Sequence, residues 1–156
     1  MALGFTLTPP EKDKVQVTKS ELIDEIAVLL GGRAAETLVF NELTAGASSD
    51  IDRATRIARA MVTDYGMSEL GAMAMNPQYE TTNYSRAYNE PLTISDKLQE
   101  KVDNEVVKFL KKGEERAMEL ITKNRSKLDA ISERLLEIET VDSDEFVEIM
   151  GVPKAA

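Results

Sequence analysis

Few side chains in this 156-residue chain have the chemistry for catalysis or metal binding. It contains no histidine and no cysteine. That excludes a Ser-His-Asp triad, an imidazole base, a thiolate nucleophile and any His- or Cys-ligated metal centre completed within the chain. Carboxylates remain, with 28 Asp and Glu against 19 Lys and Arg. Most alternate with basic residues in runs such as EKVDNE (100–105) and KKGEER (111–116), the signature of solvated helix faces. Asp50 stands apart by position. It follows Gly46-Ala47-Ser48-Ser49 and opens a helical pattern. A helix N-terminus favours negative charge, and small neighbours let another group approach. On spacing alone Asp50 reads as an ordinary first-turn acid, stabilising its helix by about 0.3–1 kcal/mol. Nothing near it in sequence completes a metal site.

The elements around Asp50 are mainly helical. The predicted fold is a mainly α bundle of four or more helices with one short N-terminal strand. Residues 1–17 form that strand, ALGFTLT, stopped by Pro9-Pro10, and a charged connector. Residues 18–70 carry helices. Thr18 and Glu21 have capping-box spacing, and Leu22, Ile26, Leu29 and Leu30 follow at helical intervals. Gly31-Gly32 reads as an interruption, either a pivot or a tight packing point, before a second stretch to Phe40. Arg33 and Glu36 have the spacing of an ion pair. After the loop NELTAGASS, a helix is expected from about Asp50 to Tyr65, with Ile51, Ala54, Ala58, Met61, Val62 and Tyr65 on one face and Gly66 beyond its end.

Residues 71–93 lack periodicity and hold Tyr79, Tyr84 and Tyr88, which read as packing anchors in a mobile segment. Residues 94–151 carry the last helices. A long one begins near Ile94, with Thr93 and Asp96 in capping positions and Gly113 as a weak point. A second runs from about Arg125 to Glu137, with Leu128, Ile131, Leu135 and Ile138 as its stripe. A third spans Asp142 to Met150, ended by Gly151 and Pro153. The seven methionines read as core filler.

The net charge of −9 argues against nucleic acid and anionic membrane surfaces as partners. No stretch approaches the length of a membrane span, so direct membrane insertion by this chain is not expected.

Three blocks carry a resemblance. LLGGRAAE (29–36), TAGASSDIDRATRIARAMVTDYGMSE (44–69) and ALG (2–4) resemble the protease domain of the FtsH family, ATP-dependent, membrane-anchored zinc metalloproteases. DNEVVKFL (103–110), ERAMELI (115–121) and LLEIETVDSDEF (135–146) resemble that family's terminal helices. The resemblance covers almost the whole chain. It implies a zinc ion held by two His of an H-E-x-x-H helix and one distant Asp, with the Glu of that motif as general base. By motif position the distant Asp is Asp50. The strand segment Leu3, Gly4, Phe5 and Thr6 corresponds to the strand lining the substrate cleft, where an extended peptide can pair.

The sequence departs from the family in having no H-E-x-x-H motif. That motif, the ATP-binding AAA+ domain and the membrane anchor are expected upstream. The chain therefore holds no catalytic residue of its own and is expected to be inactive and to bind no cofactor tightly alone. Glu114 is a smaller departure, standing where the family usually has Tyr. The resemblance further implies protein substrates, membrane and short-lived cytoplasmic ones, and a homo-hexamer at the cytoplasmic face of a bacterial cell membrane, this chain itself being soluble. The alternative is a stand-alone, non-catalytic helical module, a pseudo-protease that binds a partner or joins a ring. The His-free composition supports it.

Overall fold

The computed structural model describes residues 16–73 and 94–151. The strand, the Thr93 cap and the tyrosine-bearing segment expected from the sequence lie outside the described residues. Five α-helices account for most of the rest: α1 (Lys19–Phe40), α2 (Ser48–Thr63), α3 (Asp96–Lys123), α4 (Arg125–Ile138) and α5 (Ser143–Met150). The chain is mainly α.

Helix α1 starts where its capping box places it. The Thr18 hydroxyl accepts from the Glu21 N–H, and the Glu21 carboxylate accepts from the Thr18 N–H at 2.8 Å. It then continues unbroken through Gly31-Gly32 to Phe40. The glycine pair is neither a pivot nor a packing point, since a Cβ at either would meet nothing within 4 Å. Intrahelical hydrogen bonding and the buried row Leu22, Ile26, Leu30 and Ala34 outweigh the ~1 kcal/mol that each glycine costs. Asn41 ends the helix in the left-handed conformation (φ 52°).

Helix α2 buries Ala54, Ala58, Met61 and Val62. Ile51 and Tyr65, expected on the same face, are 38% and 58% exposed, Ile51 in the first turn of α2 and Tyr65 past its end. Helix α3 buries Val102, Val106, Phe109, Gly113 and Ala117. It begins at Asp96, with the Ser95 hydroxyl accepting from the Leu98 N–H at 3.3 Å. These three helices pack pairwise around one core. Its most enclosed side chains are Ile26, Met61, Val62 and Val102, each stabilising the fold by about 1.5–3 kcal/mol. The small residues Ala54 and Ala58 let α2 approach closely. Met61 fills the core as expected, whereas Met73 is 45% exposed.

Gly113 is the opposite of a weak point. Its missing side chain is what lets Ile26 seat against α3. Helices α4 and α5 form a hairpin at the end of α3 and bury no residue fully. Polar contacts tie them together: Arg134 of α4 binds Glu145 of α5, and Lys127 donates to the Met150 carbonyl.

Candidate metal centre

Asp50 occupies the first turn of α2. Its carboxylate is exposed and makes no hydrogen bond or ion pair among the described residues. Its neighbours are differently placed. Asp52 is bound by Arg56 one turn on, and Glu25 by Arg53 at 3.4 Å. Asp50 is therefore a carboxylate that the helix positions and that no other described residue engages. The preceding residues Gly46, Ala47, Ser48 and Ser49 are too small to cover it. These are the properties a single oxygen ligand requires, since zinc takes Asp oxygens at about 2.0–2.2 Å.

The turn before Asp50 is held from α1. The Glu36 carboxylate accepts the Thr44 N–H at 3.2 Å through one oxygen and the Thr44 hydroxyl at 2.8 Å through the other. The Thr44 hydroxyl in turn accepts from the Gly46 N–H at 3.2 Å, capping a 3-10 turn (Ala45–Ala47) that runs directly into α2. Glu36 thus does not pair with Arg33. That guanidinium reaches Glu114 of α3 at 3.7 Å, giving the Glu at this position an ion-pairing role.

At the other end of α2, Gly66 turns the chain with φ +60°. The buried Glu105 of α3 accepts the Glu69 N–H at 3.1 Å and is bound by Lys108 at 2.5 Å. Lys108 also reaches the Glu69 carboxylate at 2.8 Å. The Lys108 hydrogen bond, then that from the Glu69 backbone, hold the Glu105 carboxyl below the usual glutamate range despite its burial. Both carboxylates raise the Lys108 ammonium above its ordinary value, Glu105 most.

Among the described residues, no group of three His, Cys, Asp or Glu side chains could together hold a metal ion. Asp50 has the chemistry of one zinc ligand, and a single carboxylate does not hold the ion by itself. Leu3, Gly4, Phe5 and Thr6 lie outside the described residues, so their relation to Asp50 is not part of this geometry. Sequence spacing pairs Glu36 with Arg33 rather than with Thr44, and it does not distinguish Glu105 from the solvated acids around it. Glu36 sits in a recognisable block, yet its partner depends on the chain reversal at Asn41, which carries no strong sequence signal.

The chain matches the sequence profile of Peptidase family M41 over residues 1–149. The chain belongs to peptidase family M41. This M41 chain is 45% identical over 151 residues to the ATP-dependent zinc metalloprotease FtsH of Thermotoga maritima, covering 96% of this chain and 25% of that protein. It is 44% identical over 153 residues to the protein of the same name from Clostridium perfringens, covering 96% and 20%. With the ATP-dependent zinc metalloprotease FtsH 4 of Synechocystis the identity is 39% over 156 residues, covering 99% and 25%. The M41 chain thus spans a fifth to a quarter of the length of these relatives. Among its described residues no helix is long and apolar enough to cross a membrane.

Proposed function

We propose that this chain is the helical C-terminal part of the peptidase domain of an ATP-dependent zinc metalloendopeptidase, with Asp50 as one of three zinc ligands. The observation that carries this reading is an exposed carboxylate in the first turn of α2, without a partner among the described residues, inside a chain of family M41. When bound, the zinc activates a water molecule for attack on a peptide carbonyl. Asp50 contributes one oxygen donor and one negative charge. The α1–α2–α3 core supplies a rigid base for that donor, which a metal site needs in order to fix its geometry.

The two His ligands and the general base belong to the rest of the protein, so the chain alone hydrolyses no peptide and holds zinc weakly. ATP acts at the AAA+ domain of the same protein. Its substrates are membrane and short-lived cytoplasmic proteins, and it works as a hexamer at the cytoplasmic face of the membrane. Leu3, Gly4, Phe5 and Thr6 take part in binding the extended substrate.

The test is Asp50→Asn in the full-length protein. The variant should lose bound zinc and peptidase activity while hydrolysing ATP at the normal rate. Zinc content equal to that of the unaltered protein would overturn the assignment and leave the chain as a non-catalytic helical module.

A further inference from the structure

We infer that Glu36 is a positioning residue for the metal ligand, acting through Thr44. The inference rests on Asp50 being a zinc ligand and adds how that ligand is fixed. Helix α2 has no side-chain cap of its own: its N-cap position is Ala47, which offers no hydroxyl or carboxylate to the first turn. A helix start without a cap frays, and Asp50 lies within that first turn. What replaces the cap is a relay from α1. Both Glu36 oxygens are engaged by Thr44, one by its N–H and one by its hydroxyl. The Thr44 hydroxyl holds the Gly46 N–H. The 3-10 turn then passes into α2 through the Ser48 N–H, which donates to the Ala45 carbonyl. The first link is two hydrogen bonds and each later one is a single bond, and the relay ends two residues before Asp50.

The chemistry of the clamp is specific. A carboxylate offers two acceptor oxygens, and Thr44 presents two donors. A glutamine at position 36 keeps one acceptor and turns an NH2 group toward the other donor. A serine at position 44 keeps both donors, and a valine keeps only the N–H. Loss of the clamp leaves the α1–α2–α3 core intact, because Glu36 and Thr44 stand outside it. It releases the turn that orients Asp50. Groups that orient metal ligands typically change metal affinity or activity by roughly 10–100-fold when removed.

The experiment measures zinc affinity of the full-length protein by competition with a chelator, for Glu36→Gln, Thr44→Val, Thr44→Ser, Glu42→Gln and Asp50→Asn. Thermal unfolding establishes that each is folded at the temperature used. Glu36→Gln and Thr44→Val should weaken zinc binding by roughly 10–100-fold. Thr44→Ser should bind zinc as the unaltered protein does. So should Glu42→Gln, which removes the same charge from the loop next to Thr44 without removing either of the Thr44 hydrogen bonds to Glu36. In the 156-residue chain, without zinc, the Gly46 and Ser48 amides should exchange faster in Glu36→Gln than in the unaltered chain. Unaltered zinc affinity in Glu36→Gln and Thr44→Val, with affinity lost in Asp50→Asn, would overturn the clamp and spare the ligand. Equal weakening by Glu42→Gln would also overturn it, reducing the effect to charge. Unchanged affinity in Asp50→Asn would sink the ligand assignment itself.

Discussion

Gly113 of α3 lies so close to Ile26 of α1 that a Cβ on the glycine would stand 2.3 Å from the isoleucine Cγ2 and 3.1 Å from its Cβ. Ile26 is fully enclosed and has nowhere to retreat. Alanine is the better helix former by about 1 kcal/mol, so propensity alone predicts that Gly113→Ala stabilises. Overpacking a dense core costs typically ~1–3 kcal/mol, and here it meets a branched side chain at its root. Gly113→Ala should therefore destabilise by about 1 kcal/mol in urea unfolding. Combining it with Ile26→Ala, which removes Cγ2, should give a double-mutant destabilisation smaller than the sum of the two. Strict additivity would show that the contact does not limit the packing.

Glu105 predicts how the fold responds to acid. Its folded-state pKa is depressed, first by Lys108, while the unfolded value is about 4.3. The unfolded chain then binds the proton more readily, so stability rises with pH across this window. The contribution is fully present above the unfolded pKa and is lost as pH falls through the folded value below it. Glu105→Gln should flatten the stability profile between about pH 5 and pH 3 relative to the unaltered chain. Asp103, held low by Gln99 and then Arg59, retains its own pH dependence in both. A profile as steep in Glu105→Gln as in the original would assign the acid sensitivity elsewhere.

Gly66 makes a sharper claim about backbone. It adopts φ +60°, and a Cβ there would lie 3.1 Å from the Ala72 Cα and 3.3 Å from the Gly71 carbonyl oxygen. Both neighbours are main chain and cannot rotate away. Gly66→Ala should cost more than the ~1 kcal/mol of a left-handed alanine alone, read as a lowered urea midpoint with unchanged m-value. A variant as stable as the original would mean that the turn relaxes freely.

The helices of the core were legible because their buried rows repeat at helical spacing, as Ala54, Ala58 and Met61 do. The Thr18–Glu21 cap was legible because both halves of the motif are local. What periodicity cannot express is which surface meets which. Gly31-Gly32 and Gly113 are alike as sequence, and only the position of Ile26 separates open glycines from an obligatory one. Arg33 has an acid at local spacing, yet it reaches across to Glu114 because the α1–α3 packing brings that acid near. Asp50 drew notice for its loop, but its assignment as a ligand came from resemblance rather than from spacing. The clamp that precedes it spans eight residues and depends on a left-handed Asn41, so no local pattern announces it.

The α4–α5 hairpin should open independently of the core. Neither helix contains a fully buried residue, and Leu136, Phe146 and Leu135 are 86%, 43% and 41% exposed. Its interhelical contacts include two part-buried polar links, Arg134 to Glu145 and Lys127 to the Met150 carbonyl. A partly exposed ion pair such as Arg134–Glu145 is worth about 0.2–1 kcal/mol, and a single hydrogen bond such as that of Lys127 adds a similar amount, far less than a buried apolar row. Local opening should then need much less free energy than global unfolding. Native-state hydrogen exchange should give amide protection at Ile131 and Phe146 at least about 100-fold below that at Ile26 and Phe109. Arg134→Ala should widen the gap, because it removes one of the two polar links between the helices and touches nothing in the core. Equal protection at all four amides would place the hairpin in the same cooperative unit as α1–α3.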